Sequence, residues 1–243
     1  ANEFGIPLIR FDVGKIMGSL LGEASRNIHT VINTVETIGQ VVLWIDEVEK
    51  GMAGMAPGQV SDSAGAEVSR TLGTFLSWLQ DRDAEKMVFV VATANNLLAL
   101  PPELTGKGRF DEIFWVDFPS VKERTEIFTI HLKKHNKLHV ITQEEIQHIA
   151  EVSSGYNGAE IDEGIITGMY DAFNEGKELT ASHVENALMQ TVPMSVVRKE
   201  EIVAMRRWAT THSVRRASSE PEENLDKVVT SVEKCSGDRA IYV

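Results

Sequence analysis

A chain of 243 residues, 42% hydrophobic and 25% charged, is long enough for one large or two small domains with a real core and has an ordinary globular composition. No run approaches the roughly twenty apolar residues that span a bilayer, no charged-then-apolar leader opens the sequence as given, and the one cysteine, Cys235, excludes an internal disulfide framework. A formal net charge of -12 argues against nucleic acid as partner, because gripping a phosphate backbone calls for a basic excess. The late basic cluster (Arg198, Lys199, Arg206, Arg207, Arg215, Arg216) reads as a solvated helix face. The expected compartment is reducing, with the cytoplasm as the default.

In chain order, Ala1 to Gly5 reads as the end of a helix closed by a glycine cap. Residues 7–13 give an alternating strand, and a glycine-punctuated loop runs over 14–22. Apolar residues at Ile28, Val31, Ile32, Val35 and Ile38 predict a helix over 23–38. The run Val41-Val42-Leu43-Trp44-Ile45 is the signature of a strand buried on both faces, and it ends in Asp46-Glu47. A loop rich in Gly, Ala, Met and Ser (51–65) precedes a helix over 66–79. A second buried strand, 87–92, ends in the polar run Thr93-Ala94-Asn95-Asn96, and a further strand is predicted over 113–116. This alternation predicts a mainly parallel sheet with helices on both faces. After Pro119 the periodicity is helical throughout: 121–135, 142–153, 158–175 and 180–191, with Thr142 and Glu145 as a capping box. A helix is plausible over 196–211. The rest, 213–243, reads as a polar tail with a linker at 218–223 and a short helix possible over 224–234.

Three sites line up with Asp46-Glu47. In a parallel sheet the carboxyl ends of the strands form the ligand crevice, so Asn95 could hold a water or a terminal phosphate there, or simply be a satisfied turn residue. Gly108-Arg109-Phe110-Asp111 offers an arginine on a glycine-loosened loop, suited to stabilising transition-state charge on a phosphate or to a surface ion pair. Ser154-Gly155-Tyr156-Asn157-Gly158-Ala159-Glu160-Ile161 opens a helix with two glycines, so that a nucleotide could approach the backbone closely.

Taken in order, these segments resemble the AAA+ ATPases. Asp46-Glu47 resembles the Walker B strand end, Ala92-Thr93-Ala94-Asn95 resembles sensor 1, Gly108 to Asp111 is similar to the arginine-finger loop, and Gly155 to Ile161 matches the sensor-2 region. The wording (Leu-Trp-Ile-Asp-Glu, Ala-Thr-Ala-Asn-Asn, Lys-Gly-Arg-Phe-Asp-Glu-Ile-Phe) is most similar to a cyanobacterial and chloroplast-genome branch, and the resemblance runs from residue 1 to about 212. It implies an α/β core with a parallel P-loop NTPase-type sheet (1–119), a small all-α lid (120–192) and a C-terminal helix with polar tail (193–243). ATP and Mg²⁺ are the implied cofactors. Asp46 would hold Mg²⁺ through water and Glu47 would polarise the attacking water. Asn95 would sense the terminal phosphate, and Arg109 would act on the neighbouring subunit's nucleotide. That last role implies a ring, usually a hexamer. Gly158 and Ala159 would lie along the ribose and adenine, and His131 would touch the adenosine end. The implied function is remodelling of a protein partner driven by ATP hydrolysis.

Departures from the family pattern bound these implications. No G-x-x-x-x-G-K-[ST] phosphate loop occurs. The sequence therefore reads as a fragment beginning inside the helix after that loop, incomplete at the sheet's centre and a weak ATP binder at best. The alternative is a nucleotide-free AAA-like adaptor or assembly subunit that lends Arg109 to its neighbours. The pore position reads Leu20-Leu21-Gly22, where the family favours an aromatic residue. Gly106 replaces a second arginine that Arg70 could supply, and Ala159 stands where some branches carry a sensor-2 arginine. Two further signals are weaker. His131, His135 and His139 have a spacing that suits a metal, but the helix is predicted to end before His139. Arg215-Arg216-Ala217-Ser218 resembles a basic-directed phosphorylation site.

Overall fold

The structure is a computed structural model that describes residues 1–12, 23–52, 63–81, 86–96, 100, 110–221, 223–226 and 228–229. Outside these fall Arg109, Gly106, the Leu20-Leu21-Gly22 position and the glycine-rich parts of both long loops. The chain divides into two compact units, residues 1–113 and 114–243.

In the first unit a turn of 3-10 helix, Asn2–Phe4, is closed by Gly5, which sits at φ 62 and donates its N–H to Asn2. Only a residue tolerant of left-handed backbone ends a helix this way. Strands β1 (Leu8–Asp12), β2 (Val41–Asp46) and β3 (Val88–Ala92) follow, with helices α1 (Glu23–Ile38) and α2 (Ser63–Gln80) between them. The order is β1-β2-β3 and every pair is parallel, with Phe11 beside Ile45 and Ile45 beside Ala92. Parallel strands force crossovers, and the helices supply them.

The apolar residues of α1 recur on one stripe, Ala24, Ile28, Ile32 and Val35. With Phe75, Leu76 and Leu79 of α2 they cover Phe11, Leu43 and Ile45 of the sheet. Leu43, Ile45 and Val35 are fully buried, each stabilising the unit by about 1.5–3 kcal/mol. Phe75 stacks on Phe11 at 6.1 Å and leans on Trp78, whose indole N–H donates to Glu36 at 2.9 Å. On the opposite face Leu8, Phe89 and Val91 are exposed among the described residues, whereas Val42 beside them is buried.

The second unit opens with a two-residue strand, β4 (Phe114–Trp115), and continues through helices α3 (Val121–Lys134), α4 (Gln143–Val152), α5 (Gly158–Asn174), α6 (Ala181–Met189), α7 (Met194–Val197) and α8 (Lys199–Thr211) to β5 (Arg215–Arg216). Helices α3, α4 and α5 start on reciprocal capping boxes, Ser120 with Glu123, Thr142 with Glu145, and Asn157 with Glu160, which satisfy N–H groups left open in the first turn. Phe128, Leu132, Ile146, Ile149, Ile161, Ile165, Val184 and Leu188 form the core. Gly164 and Gly168 of α5 let α6 approach: a Cβ on Gly168 would meet backbone atoms of His183 and Val184 at 3.0 Å, and one on Gly164 would meet Leu188 at 2.5 Å.

Three elements differ from the sequence expectation. The strand predicted over 113–116 shrinks to β4 and pairs in parallel with Arg215–Arg216, in a sheet of its own. The helix predicted over 196–211 is broken at Arg198, because Ser195 is drawn fully into the interior and Glu160 accepts the Met194 N–H at 2.6 Å. The stretch taken as a linker, 218–223, is anchored through Glu223. Its carboxylate accepts from Gly155 N–H at 2.8 Å and Ser154 hydroxyl at 3.0 Å and pairs with the buried Arg124, while Arg206 donates to its carbonyl at 3.0 Å. Leu225 and Val228 beyond it are buried. A carboxylate's partners lie far off in sequence, so composition alone reads such a segment as solvated.

Candidate functional site

The described site lies where β2 and β3 end. Strand β2 delivers Asp46 and then stops, because Glu47 turns into the left-handed region at φ 52. A non-glycine residue there is strained by about 1–2 kcal/mol, and the surroundings hold it. Glu47 N–H donates to Thr93 Oγ1 at 3.1 Å, Val48 N–H donates to the Thr93 carbonyl at 2.9 Å, and Lys50 N–H closes a turn back onto the Glu47 carbonyl at 2.9 Å. Register carries β3 alongside, with Thr93 N–H on the Ile45 carbonyl at 2.9 Å.

The side chains of this end are knit together. Thr93 Oγ1 donates to Asp46 Oδ1 at 2.7 Å, and Arg10 of β1 donates to Asp46 Oδ2 at 2.9 Å. Asn95 Nδ2 donates to Glu47 Oε1 at 3.1 Å, and Lys50 Nζ lies 2.6 Å from Glu47 Oε2. Asn95 N–H rests on Glu49 Oε1 at 3.2 Å. The Thr93 hydroxyl holds the Asp46 carboxyl below the usual range; burial, the next effect in size, opposes it, and the Arg10 and Lys50 cations add to the lowering. The Glu47 carboxylate holds the Lys50 ammonium above its usual value. At neutral pH Asp46 is therefore an anion and Lys50 a cation.

Of the residues singled out from sequence, Asp46, Glu47 and Asn95 come together here, and Arg109 lies outside the described residues. Arg70 is exposed on α2. Thr93, Arg10, Lys50 and Glu49 were not singled out. Thr93 sits inside the polar run that marked sensor 1, but its bridging role depends on the pairing of β2 with β3. Arg10 faces Asp46 only through the β1–β2 register.

The remaining sequence-derived residues belong to the second unit. Gly158 and Ala159 open α5, where Asn157 Oδ1 accepts from the N–H groups of Ala159 and Glu160 at 3.0 Å each. A Cβ on Gly158 would meet Ile127 at an ordinary 3.8 Å, so packing within the unit does not require glycine there. His131 stands at the end of α3 with Nδ1 2.9 Å from Asp162 Oδ1, an oxygen that already lies 2.7 Å from His135 Nε2. Lys134 donates to the other Asp162 oxygen at 2.8 Å. Lys134 first, then His135, pull the Asp162 carboxyl down to about 2. His139 lies instead in a separate turn, 3.9 Å from Glu178. The three histidines do not converge, and no group of three or more His, Cys, Asp or Glu among the described residues is placed to hold a metal. Asp46 suits Mg²⁺ in a different way, since that ion takes one or two carboxylates and fills its octahedron with water and substrate phosphate. No helix among the described residues is long and apolar enough to cross a membrane.

A parallel sheet with crossover helices, and with adjacent carboxylates and a polar run at the carboxyl ends of neighbouring strands, defines a P-loop NTPase-type α/β fold. Residues 1–118 match the ATPase family associated with various cellular activities (AAA), and the chain carries a domain of that family. It is 39% identical over 218 residues to "Uncharacterized AAA domain-containing protein ycf46" of Guillardia theta, which covers 90% of this chain and 42% of that protein. The protein of the same name from Trieres chinensis is 38% identical over 223 residues, covering 90% and 43%. A more distant relative, the proteasome-activating nucleotidase of Saccharolobus solfataricus, is 25% identical over 206 residues, covering 85% and 50%. The chain thus spans half the length or less of these curated relatives.

Proposed function

We propose that this chain is the ATPase module of a protein that hydrolyses Mg-ATP within a homo-oligomeric ring and uses the energy to remodel a protein partner. The observation that carries the reading is the convergence of Asp46, Thr93, Glu47 and Asn95 at the ends of β2 and β3. One carboxylate, Asp46, is held at the strand end by Thr93 and Arg10, and the next, Glu47, is held by a strained backbone and an amide. Asp46 would hold Mg²⁺, which when bound would supply charge neutralisation at the phosphates. Glu47 takes the role of polarising the attacking water, and Asn95 that of sensing the terminal phosphate. Arg109 acts across to a neighbour, and His131, Gly158 and Ala159 form the adenosine side. The relationship to a proteasome-activating nucleotidase favours a protein rather than a nucleic acid as the remodelled partner, as does the net charge of -12. A cytoplasmic or stromal location belongs to the same proposal.

The test is steady-state Mg-ATP turnover by the longer protein that contains this chain, with light scattering for ring size. Glu47→Gln is expected to lower kcat by about 10²-fold or more while ATP still binds, as loss of a positioned proton acceptor costs about 10²–10⁴. Wild-type protein that neither binds nor turns over ATP, but assembles with active subunits, would instead establish the adaptor reading.

A further inference from the structure

All four oxygens of the two site carboxylates are occupied by groups of the chain itself. Thr93 and Asn95, both uncharged, hold Asp46 Oδ1 and Glu47 Oε1. The other two, Asp46 Oδ2 and Glu47 Oε2, face cations, Arg10 at 2.9 Å and Lys50 at 2.6 Å. Asp12, the register partner of Asp46, adds a further carboxylate at this end of the sheet. A site so rich in negative charge is stable without a metal only if cations are near it, and β1 and the turn after β2 supply them.

Arg10 differs from Thr93 in being free to leave. Its side chain is 61% exposed, and its guanidinium also lies over the Trp44 ring at 4.8 Å, two residues before Asp46 and directly across in register. That ring offers a resting place once the carboxylate is given up, since a guanidinium on an indole face is itself stabilised. The Thr93 bond to the other oxygen keeps Asp46 oriented throughout.

From this geometry we propose that Arg10 is the resident counter-ion of Asp46 and that it excludes a divalent cation from that carboxylate. Metal entry and Arg10 release are then one exchange, with the guanidinium giving up Asp46 while keeping its place over Trp44. The inference rests on the reading of Asp46 as the metal-holding residue and adds a regulating residue to it. Arg10 thereby makes metal loading harder and metal release easier, and Arg10→Gln removes the competitor while leaving Thr93 and Asp46 in place.

The experiment uses Tb³⁺, a hard oxygen-seeking ion, titrated into this chain with its luminescence excited through tryptophan. Asp46→Asn identifies the part of the signal that belongs to the site, separating it from ions bound elsewhere on a chain of net charge -12. An exposed pair of this kind implies that the Asp46-dependent component saturates at about two- to fivefold lower Tb³⁺ in Arg10→Gln than in wild type, with Arg10→Lys between them. The same component is expected to weaken in Trp44→Phe. An Asp46-dependent component with the same midpoint in wild type and Arg10→Gln overturns the counter-ion proposal and leaves the metal reading standing. If Asp46→Asn changes nothing in either background, the metal reading of Asp46 fails and the counter-ion proposal falls with it.

Discussion

Glu223 is the most consequential residue that composition gives no reason to notice, and Glu223→Ala tests its role. Its carboxylate is 14% exposed and pairs with Arg124, whose side chain is completely buried. It also accepts from Ser154 and Gly155. Removing one partner of a buried pair typically costs about 3–5 kcal/mol, because the other charge stays buried. Arg124 keeps the carbonyls of Pro119 at 2.6 Å and Ala150 at 2.9 Å, which places the loss at the low end, about 3 kcal/mol. A unit spanning residues 114–243 has an unfolding entropy of about 0.27 kcal/mol/K, so its Tm is expected to fall by about 10 °C. The assay is thermal and urea unfolding followed by circular dichroism. Glu220→Ala serves as the control, because among the described residues the Glu220 carboxylate pairs with an exposed Lys122 at a long 3.8 Å and its loss is expected to change stability by less than about 0.5 kcal/mol. If Glu223→Ala matches that control, the tail is not part of the fold of this unit and the reasoning is wrong.

Four further outcomes are expected. Gly168→Ala sets a methyl against the backbone of His183 and Val184 at 3.0 Å and is expected to cost about 1–3 kcal/mol in urea unfolding. Gly158→Ala, with 3.8 Å of room, is expected to change stability by less than about 0.5 kcal/mol while weakening adenine-nucleotide binding by the longer protein; undiminished affinity would remove Gly158 from the nucleotide site. Asp162 has a carboxyl held at about 2, below the ordinary 3.8. Its contribution is therefore complete above about pH 4 and lost as pH falls toward 2. The stability gap between wild type and Asp162→Asn should close over that window, and a gap independent of pH would contradict the assignment. Thr93→Val removes the hydroxyl that most depresses the Asp46 carboxyl, so its titration by carbon-detected NMR should move up toward the ordinary carboxylate value, whereas Thr93→Ser should leave it near wild type.

How much of this was legible in the sequence follows from the range of the interactions. The buried strand Val41–Asp46, the stripe of α1 and the capping box at Thr142 are local patterns, and each appears where the periodicity puts it. Asp46, Glu47 and Asn95 were legible because the ends of parallel strands converge whatever the details between them. Register was not legible: it brings Arg10 beside Asp46 and Thr93 between the Asp46 carboxylate and the Glu47 N–H. The fate of residues 113–116 shows the same limit. Ile-Phe-Trp-Val is a good strand sequence, but β-propensity does not name a partner, and the partner is Arg215–Arg216 in a stretch that reads as polar.

The two units also differ in how charge is used, and that bears on where function resides. In the second unit ionic groups such as Arg124 with Glu223 and Arg206 with Asp117 are sequestered and serve architecture. At the ends of β2 and β3 the charged pairs are exposed, with Arg10 and Lys50 both about 60% accessible, and pairs of that kind contribute little to stability. Yet here the backbone holds a strained Glu47, and three hydrogen bonds among the residues that follow β2 and β3 keep it there. Folding alone gives no reason to keep a strained residue between weak ion pairs, since a glycine would relieve the φ without disturbing the core. Strain maintained where charges are exchangeable is the arrangement expected of a site whose carboxylates must change partners, which is what the proposed binding and hydrolysis of a metal-bound nucleotide would demand of them.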